Sequence, residues 1–155
     1  MWTLERLGLG GALISMLALG GCATTTPVTV VPSADHHQET WTLHPEAMPI
    51  EGADGKVQVA AGAGGQQDLR LEVQNLKPAG VAFEGTKDYV VWLRPADGLL
   101  RKVGVLRVDG NERGELAAAM PPFRAFEVVV TAEPHPEVVE PAGSEVMETT
   151  VALPA

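Results

Sequence analysis

Short apolar runs alternate with turns marked by Gly, Asp and Pro over residues 89–134, and this pattern is typical of consecutive antiparallel strands. Residues 89–94 are apolar on both faces, which predicts a central strand. Residues 95–98 predict a hairpin loop, and the return strand is expected at residues 99–108. Gly104 within that strand indicates a β-bulge or a close approach.

The most apolar strand is expected at residues 125–132, where the side chains alternate between two faces. One face carries Phe126, Val128 and Val130. The other face carries Glu127, Val129 and Thr131. We expect the first face to pack in the core, between two sheets, because its three side chains are all large and apolar.

Further short strands are expected before and after this region, each bounded by Gly, Pro or polar residues. They are residues 39–43, 56–60, 68–74, 81–83, 115–120 and 146–153. In residues 68–74 the side chains of Leu69, Leu71 and Val73 are predicted to face the core. The pattern contains no convincing amphipathic helix. It predicts an all-β domain, an immunoglobulin-like antiparallel β-sandwich of seven to nine strands.

The N-terminus has the pattern of a targeting signal, which we place at residues 1–21. Its apolar run, residues 7–19, is too short for a comfortable membrane span. The run ends in Leu-Gly-Gly-Cys at Cys22, which resembles the lipobox of bacterial lipoproteins. That resemblance implies cleavage before Cys22 and a diacylglycerol on its thiol. The alternative is an ordinary secretory signal followed by an incidental cysteine.

The chain after the signal divides into two parts. Residues 22–38 are rich in Thr, Pro and Ser without a persistent period, and we expect a lipid anchor with a flexible tether. The β domain is expected at residues 39–155. The mature protein is therefore predicted to lie outside the cytoplasm, held in the membrane by its lipid. Ala23, where an aspartate would indicate inner-membrane retention, favours the outer membrane, facing the periplasm.

Composition excludes several classes of partner. The 155 residues carry a formal net charge of -9, which argues against nucleic acid and against electrostatic docking to anionic lipid. Aromatic residues make up only 5%, so the core must consist mainly of Val, Leu and Ala. Cys22 is the only cysteine, so an internal disulfide is excluded.

The glycines, prolines and aromatic residues of the β domain resemble those of the extracytoplasmic C-terminal domain of the anti-sigma-K factor family. The matching residues are Tyr89, Trp92, Gly98, Gly104, Gly114, Thr131, Glu133, Pro134, Pro141 and Gly143. The resemblance covers roughly residues 69–151 and implies a β-sandwich outside the membrane. The chain has neither the cytoplasmic sigma-binding or zinc-binding module nor the membrane helix of that family. It also has His135 and Pro136 where a Gly-Gly-Ser run is usual. The resemblance therefore implies only the role of the outer domain.

Catalysis is not expected from these residues. Ser33 and Ser144 are the only serines after the signal, and neither lies in a nucleophile-elbow pattern. Asp109, Asn111 and Gly114 mimic the start of a calcium loop, but Arg113 stands at a ligand position, so we interpret the segment as a turn. We predict no catalytic residue, no metal site and no cofactor.

The acidic segment and the histidines offer an alternative function. Five glutamates lie between residues 133 and 148 with no basic residue, and we expect a solvated loop there. His36, His37, His44 and His135 are surface histidines on the simplest interpretation. A periplasmic metal-binding or sensing protein that uses the histidines and the acidic loop is the alternative.

Trp92 is the candidate binding residue. If the hairpin loop pairs Arg94 with Leu99, Trp92 stands opposite Arg101. This register predicts a partly exposed Trp92 stacked with Arg94 and Arg101, which is the composition of a protein-binding hot spot. The alternative is a tryptophan buried on a central strand, as sandwich domains often have. The function predicted from sequence is a non-enzymatic envelope lipoprotein that binds a protein or another envelope partner.

Overall fold

A computed structural model describes residues 38–46 and 49–154. Cys22, the signal and the tether up to residue 37 lie outside these residues, as do His36 and His37. The strands are β1 (Glu39–Pro45), β2 (Asp54–Ala61), β3 (Gln67–Gln74), β4 (Asp88–Pro95), β5 (Arg101–Val108), β6 (Gly114–Met120), β7 (Ala125–Glu133) and β8 (Ser144–Ala152). A 3-10 turn, Ala63–Gly65, and one turn of α-helix, α1 (Ala79–Ala82), complete the elements. Within the described ranges, no helix is long and apolar enough to cross a membrane.

The strands form a closed antiparallel barrel in the order β1-β2-β3-β6-β5-β4-β7-β8. Two groups of four strands, β1-β2-β3-β6 and β5-β4-β7-β8, pair along most of their length. The groups join at two short ladders, which we call the seams. Each seam has two residue pairs: Arg107–Glu115 and Val108–Gly114 between β5 and β6, and His44–Glu148 and Pro45–Met147 between β1 and β8.

The all-β prediction is confirmed, and the eight strands fall within the predicted range. The predicted immunoglobulin-like β-sandwich is not confirmed, because the described strands close into a barrel. The reason is physical: an inward-outward alternation of side chains is the same in both architectures. The seams that close the barrel involve only the ends of β1, β5 and β6, together with Met147 and Glu148 in the middle of β8, and two residue pairs are too few to appear in the sequence pattern.

The barrel interior contains the side chains that alternation assigned to it. Phe126, Val128 and Val130 are buried there, as are Leu69, Leu71 and Val73. Alternate residues of β4, Tyr89, Val91 and Leu93, join the same cluster. β4 pairs with β5 on one side and β7 on the other, which confirms that it is a central strand.

One sequence-based element assignment is wrong, and one predicted strand begins two residues later than expected. Residues 81–83 were expected in a strand, but α1 occupies Ala79–Ala82, directly after Pro78 at its N-cap. Proline with its fixed φ is well suited to the start of a helix, and Val81 projects into solvent rather than into a sheet. The return strand β5 begins at Arg101 rather than at Leu99, because the turn extends through Leu99 and Leu100.

The predicted register of the β4–β5 hairpin is also wrong. Leu93 pairs with Arg101, Trp92 with Lys102, and Val91 with Gly104, so the register shifts by one residue between Val91 and Trp92. The extra residue of this bulge is Val103, next to the glycine that sequence indicated for a bulge or close approach. Trp92 lies on the hairpin side of the bulge, and its partner differs from the predicted one because the hairpin loop is one residue longer than predicted. An ideal Cβ on Gly104 would lie 3.1 Å from the side chain of Leu116, so the close approach is real as well.

Candidate functional site

A second hydrophobic cluster lies on the outer face of β4 and β7. It contains Val90, Trp92 and Val129, with the half-buried Leu100 against them. Residues 134–143, which connect β7 to β8 and which we call the covering loop, place Val138 on this cluster. The barrel is therefore apolar on both sides of β4, and its outer apolar surface is closed by a loop rather than by a second sheet.

Trp92 is at the centre of the outer cluster. Its outward direction agrees with the sequence-based assignment of faces, but its predicted partial exposure is wrong, since its side chain is 0% exposed. Sequence alternation assigns a side chain to a face of a sheet and cannot show that a distant loop folds back over that face. The buried-tryptophan alternative is the arrangement that the structure has.

A chain of buried hydrogen bonds connects Trp92 to the covering loop. The indole Nε1 of Trp92 donates to Oγ1 of Thr131 at 2.8 Å, and that hydroxyl donates to Oε1 of Glu133 at 2.6 Å. The Glu133 carboxylate also accepts from the backbone N–H of Ala142 at 3.2 Å and of Gly143 at 3.0 Å. Thr131 and Glu133 are both 0% exposed. Each of their buried polar atoms has a partner, so these hydrogen bonds attach the C-terminal end of the covering loop to β7.

Glu133 was expected in a solvated acidic loop, and this expectation is wrong for that residue. Glu133 is the last residue of β7 and is fully buried. The close approach of the covering loop explains the burial: an ideal Cβ on Gly143 would lie 1.7 Å from the carbonyl oxygen of Ala132. Only glycine allows the loop to return this close to β7.

Lys102 holds the other part of the covering loop. Its Nζ donates to the carbonyl oxygens of Pro136 and Val138, the latter at 3.0 Å. Because Lys102 lies opposite Trp92 in the β4–β5 ladder, its amine attaches the loop beside the cluster that Val138 covers. The loop is thus fixed by a hydrophobic contact, a lysine and a buried carboxylate.

Arg94 and Arg101, the other two predicted binding residues, do not stack on Trp92. The guanidinium of Arg94 forms ion pairs with Glu127 at 2.7 Å and Glu145 at 2.6 Å. Its hydrogen bond with Glu127 is the main cause that raises the pKa of Arg94, and the charge of Glu145 acts in the same direction. Arg94 therefore connects β4, β7 and β8 on the outer face of the barrel, two residues after Trp92 along β4.

Arg101 lies at the hairpin end of the barrel. Its guanidinium pairs with Asp97 at 2.7 Å and lies over the ring of Phe123, 5.6 Å from the centroid. The backbone N–H of Leu99 and then Arg101 lower the pKa of the Asp97 carboxyl. The binding roles of Arg94 and Arg101 stay predictions, and the guanidinium groups of both residues pair with carboxylates.

Two large apolar side chains remain exposed where the hairpin meets the covering loop. Leu99 is 65% exposed and Val139 is 87% exposed. They are the chain neighbours of Leu100 and Val138, which pack in the outer cluster, so both lie at the same end of the outer face. Sequence reasoning missed this pair. Its signal was the apolar pairs at residues 99–100 and 138–139, in each of which one residue packs against the outer cluster and the other is exposed.

The described residues contain no group of three His, Cys, Asp or Glu side chains that could hold a metal ion. His44 and His135 are exposed and lie on different elements. The buried carboxylate of Glu133 already accepts bonds from Thr131, Ala142 and Gly143. The arrangement is that of a structural attachment.

Comparisons with protein-family models, with curated proteins and with solved structures find no match to this chain. The resemblance to the outer domain of anti-sigma-K factors therefore stays a prediction. Within the motif quoted for it, Thr131, Glu133 and Gly143 are the residues that attach the covering loop.

Proposed function

We propose that this chain is a non-enzymatic lipoprotein of the cell envelope, whose lipid-anchored β-barrel binds another protein outside the cytoplasm. The lipobox resemblance at Cys22 supports the anchor, and Ala23 favours an outer-membrane location facing the periplasm. The acidic charge of -9 favours a protein partner over nucleic acid.

The observation that carries the binding function is the exposed pair Leu99 and Val139. A partner that covers Leu99 and Val139 would remove their apolar surface from water, and both are held on segments that are fixed to the barrel. A fixed surface loses little conformational entropy when a partner binds. The neighbouring Lys102 and Arg101 supply a polar and charged rim, as protein-binding surfaces commonly have.

We also propose that the eight strands form an immunoglobulin-like sandwich. Two four-stranded sheets joined at two seams of two residue pairs each are compatible with an immunoglobulin-like sandwich. Such a domain outside the membrane is what the resemblance to anti-sigma-K factors implies. The proposed role is that of the outer domain alone, namely contact with an envelope partner.

The anchor is tested by Cys22→Ser. This variant should be released from membranes or should accumulate unprocessed, because the thiol that takes the lipid is missing. Membrane fractionation followed by a salt wash measures the outcome. If the variant still sediments with membranes after the wash, the lipobox interpretation is wrong.

The partner surface is tested by Val139→Asp. Chemical cross-linking in intact cells, followed by mass spectrometry of the attached protein, should give a partner with the wild type and lose it with this variant. Thr42→Asp is the matched control, since Thr42 is exposed on β1 of the other sheet and should keep the cross-link. Loss of the cross-link in both variants, or in neither, would contradict the proposed surface.

A further inference from the structure

β5 has an open edge on the side of β6. The strand spans Arg101–Val108, but only Arg107 and Val108 pair with β6. Residues 101–106 therefore have no strand beside them on that side within the described part of the chain. At about 3.3 Å per residue this edge is roughly 20 Å long, enough for an added strand of ordinary length.

The charge of β5 differs from that of every other described strand. β5 carries Arg101, Lys102 and Arg107 and no acidic residue, whereas each of the other seven strands has at least one Asp or Glu. In a chain with a net charge of -9, this concentrates positive charge along one open edge. Such an edge attracts an acidic segment and repels a basic one.

Apart from the bulge between Lys102 and Gly104, the edge has few of the features that block strand pairing. β5 contains no proline. The amine of Lys102 donates to carbonyl oxygens of the covering loop, so its charge is not placed to block an added strand. The opposite strand of the seam, β6, is followed directly by Pro121 and Pro122, which limit pairing there. At the other seam, the free part of β1 carries Glu39 and no basic residue.

We propose that the edge of β5 at residues 101–106 accepts an extended acidic segment of the partner protein as an added β-strand. Backbone hydrogen bonds along the edge supply the affinity, and Arg107 at its C-terminal end selects acidic side chains, whereas the guanidinium of Arg101 is already paired with Asp97. The edge begins two residues after the exposed Leu99, so the same partner contacts both features. The proposal thus rests on the proposed function and names the partner's binding mode.

The test uses the full lipidated chain purified in detergent and two synthetic peptides. The first peptide alternates Glu with Val and Thr, and the second carries Lys in place of each Glu. The acidic peptide should bind, as measured by fluorescence anisotropy, and should slow hydrogen exchange of the backbone amides in residues 101–106. The basic peptide should do neither.

Two variants of equal charge change make the test specific. Arg107→Glu should weaken binding of the acidic peptide about fivefold, the effect of about one exposed ion pair. Arg124→Glu, at an exposed residue outside β5, should leave binding unchanged. Equal weakening by both variants would show attraction to overall charge and would overturn the proposal.

Two further outcomes would overturn strand addition: no binding of the acidic peptide, or binding without slower exchange at residues 101–106. Neither outcome affects the proposed function if Val139→Asp still abolishes the cross-link in cells. If the acidic peptide does not bind and Val139→Asp also leaves the cross-link in cells unchanged, this end of the barrel is not a partner surface.

Discussion

The attachment of the covering loop is tested most sharply by Glu133→Ala. The carboxylate of Glu133 accepts hydrogen bonds from the hydroxyl of Thr131 and from the backbone N–H groups of Ala142 and Gly143. The substitution removes all of these bonds together. It leaves the Thr131 hydroxyl buried without an acceptor and detaches the end of the loop.

The expected loss in the free energy of unfolding depends on whether each hydrogen-bond donor can find another acceptor. Ala142 is exposed and Gly143 is half-buried, so their N–H groups regain hydrogen bonds from water. Thr131 is 0% exposed, and a buried unsatisfied hydroxyl costs about 1–3 kcal/mol. Adding the lost charged hydrogen bonds and subtracting the relief from carboxylate burial, we expect Glu133→Ala to lower the free energy of unfolding by about 2–4 kcal/mol.

The assay is urea denaturation followed by tryptophan fluorescence, with hydrogen exchange of residues 134–143 measured in parallel. Glu127→Ala is the matched control: it removes the same side chain from the same face of β7, but its carboxylate is 40% exposed and pairs only with Arg94 at the surface. We expect that control to cost less than about 1 kcal/mol and to leave loop exchange unchanged. Glu133→Gln, which keeps an acceptor for Thr131, should fall between the two.

Equal urea midpoints for Glu133→Ala and Glu127→Ala would show that the buried hydrogen bonds of Glu133 do not stabilise the native state. Unchanged hydrogen exchange in the covering loop of Glu133→Ala would refute the attachment even if stability fell.

Three further predictions concern single positions. Gly143→Ala should lower the free energy of unfolding by on the order of 2–3 kcal/mol in the urea assay, since its Cβ would lie 1.7 Å from the Ala132 oxygen. Gly110→Ala is the control and should be neutral, because a Cβ there would have nothing within 4 Å. Equal urea midpoints for the two variants would contradict the close approach of Gly143 to Ala132. Burial raises the pKa of Tyr89, the only tyrosine, to about 12 from 10.0, so stability should fall as the pH rises from 10 to 12, and an absorbance midpoint near 10 would be inconsistent with burial. Phe126→Ala should cost about 3–5 kcal/mol because the ring is 3% exposed, and a loss below about 1 kcal/mol would show that it is not core.

Most strands were predictable from sequence because one of their faces is buried. In residues 68–74 and 125–132 the side chains alternate with period two, and the structure has strands there with those inward faces. The turn of α1 was not predictable in this way, since Val81 is β-branched yet lies in a helix. Four residues are too few for a helical period to appear.

The site was less predictable because it depends on contacts between distant residues. The hairpin loop is one residue longer than predicted, so Trp92 pairs with Lys102 rather than with Arg101, and an alternation pattern does not encode loop length. Burial of Trp92 depends on Val138, 46 positions later, returning over the sheet. Thr131, Glu133 and Gly143 stood out in the sequence, but only the backbone geometry shows that they act together.

Contact of a protein partner with the surface around Leu99 and Val139 is measured with a photo-cross-linking amino acid placed at Val139 in the full chain and activated in intact cells. The same amino acid at Thr42, which is also exposed but lies on β1, measures chance encounters. We expect a discrete cross-linked protein from position 139 and none from position 42. A cross-link of equal yield from both positions, or from position 42 alone, would contradict the claim.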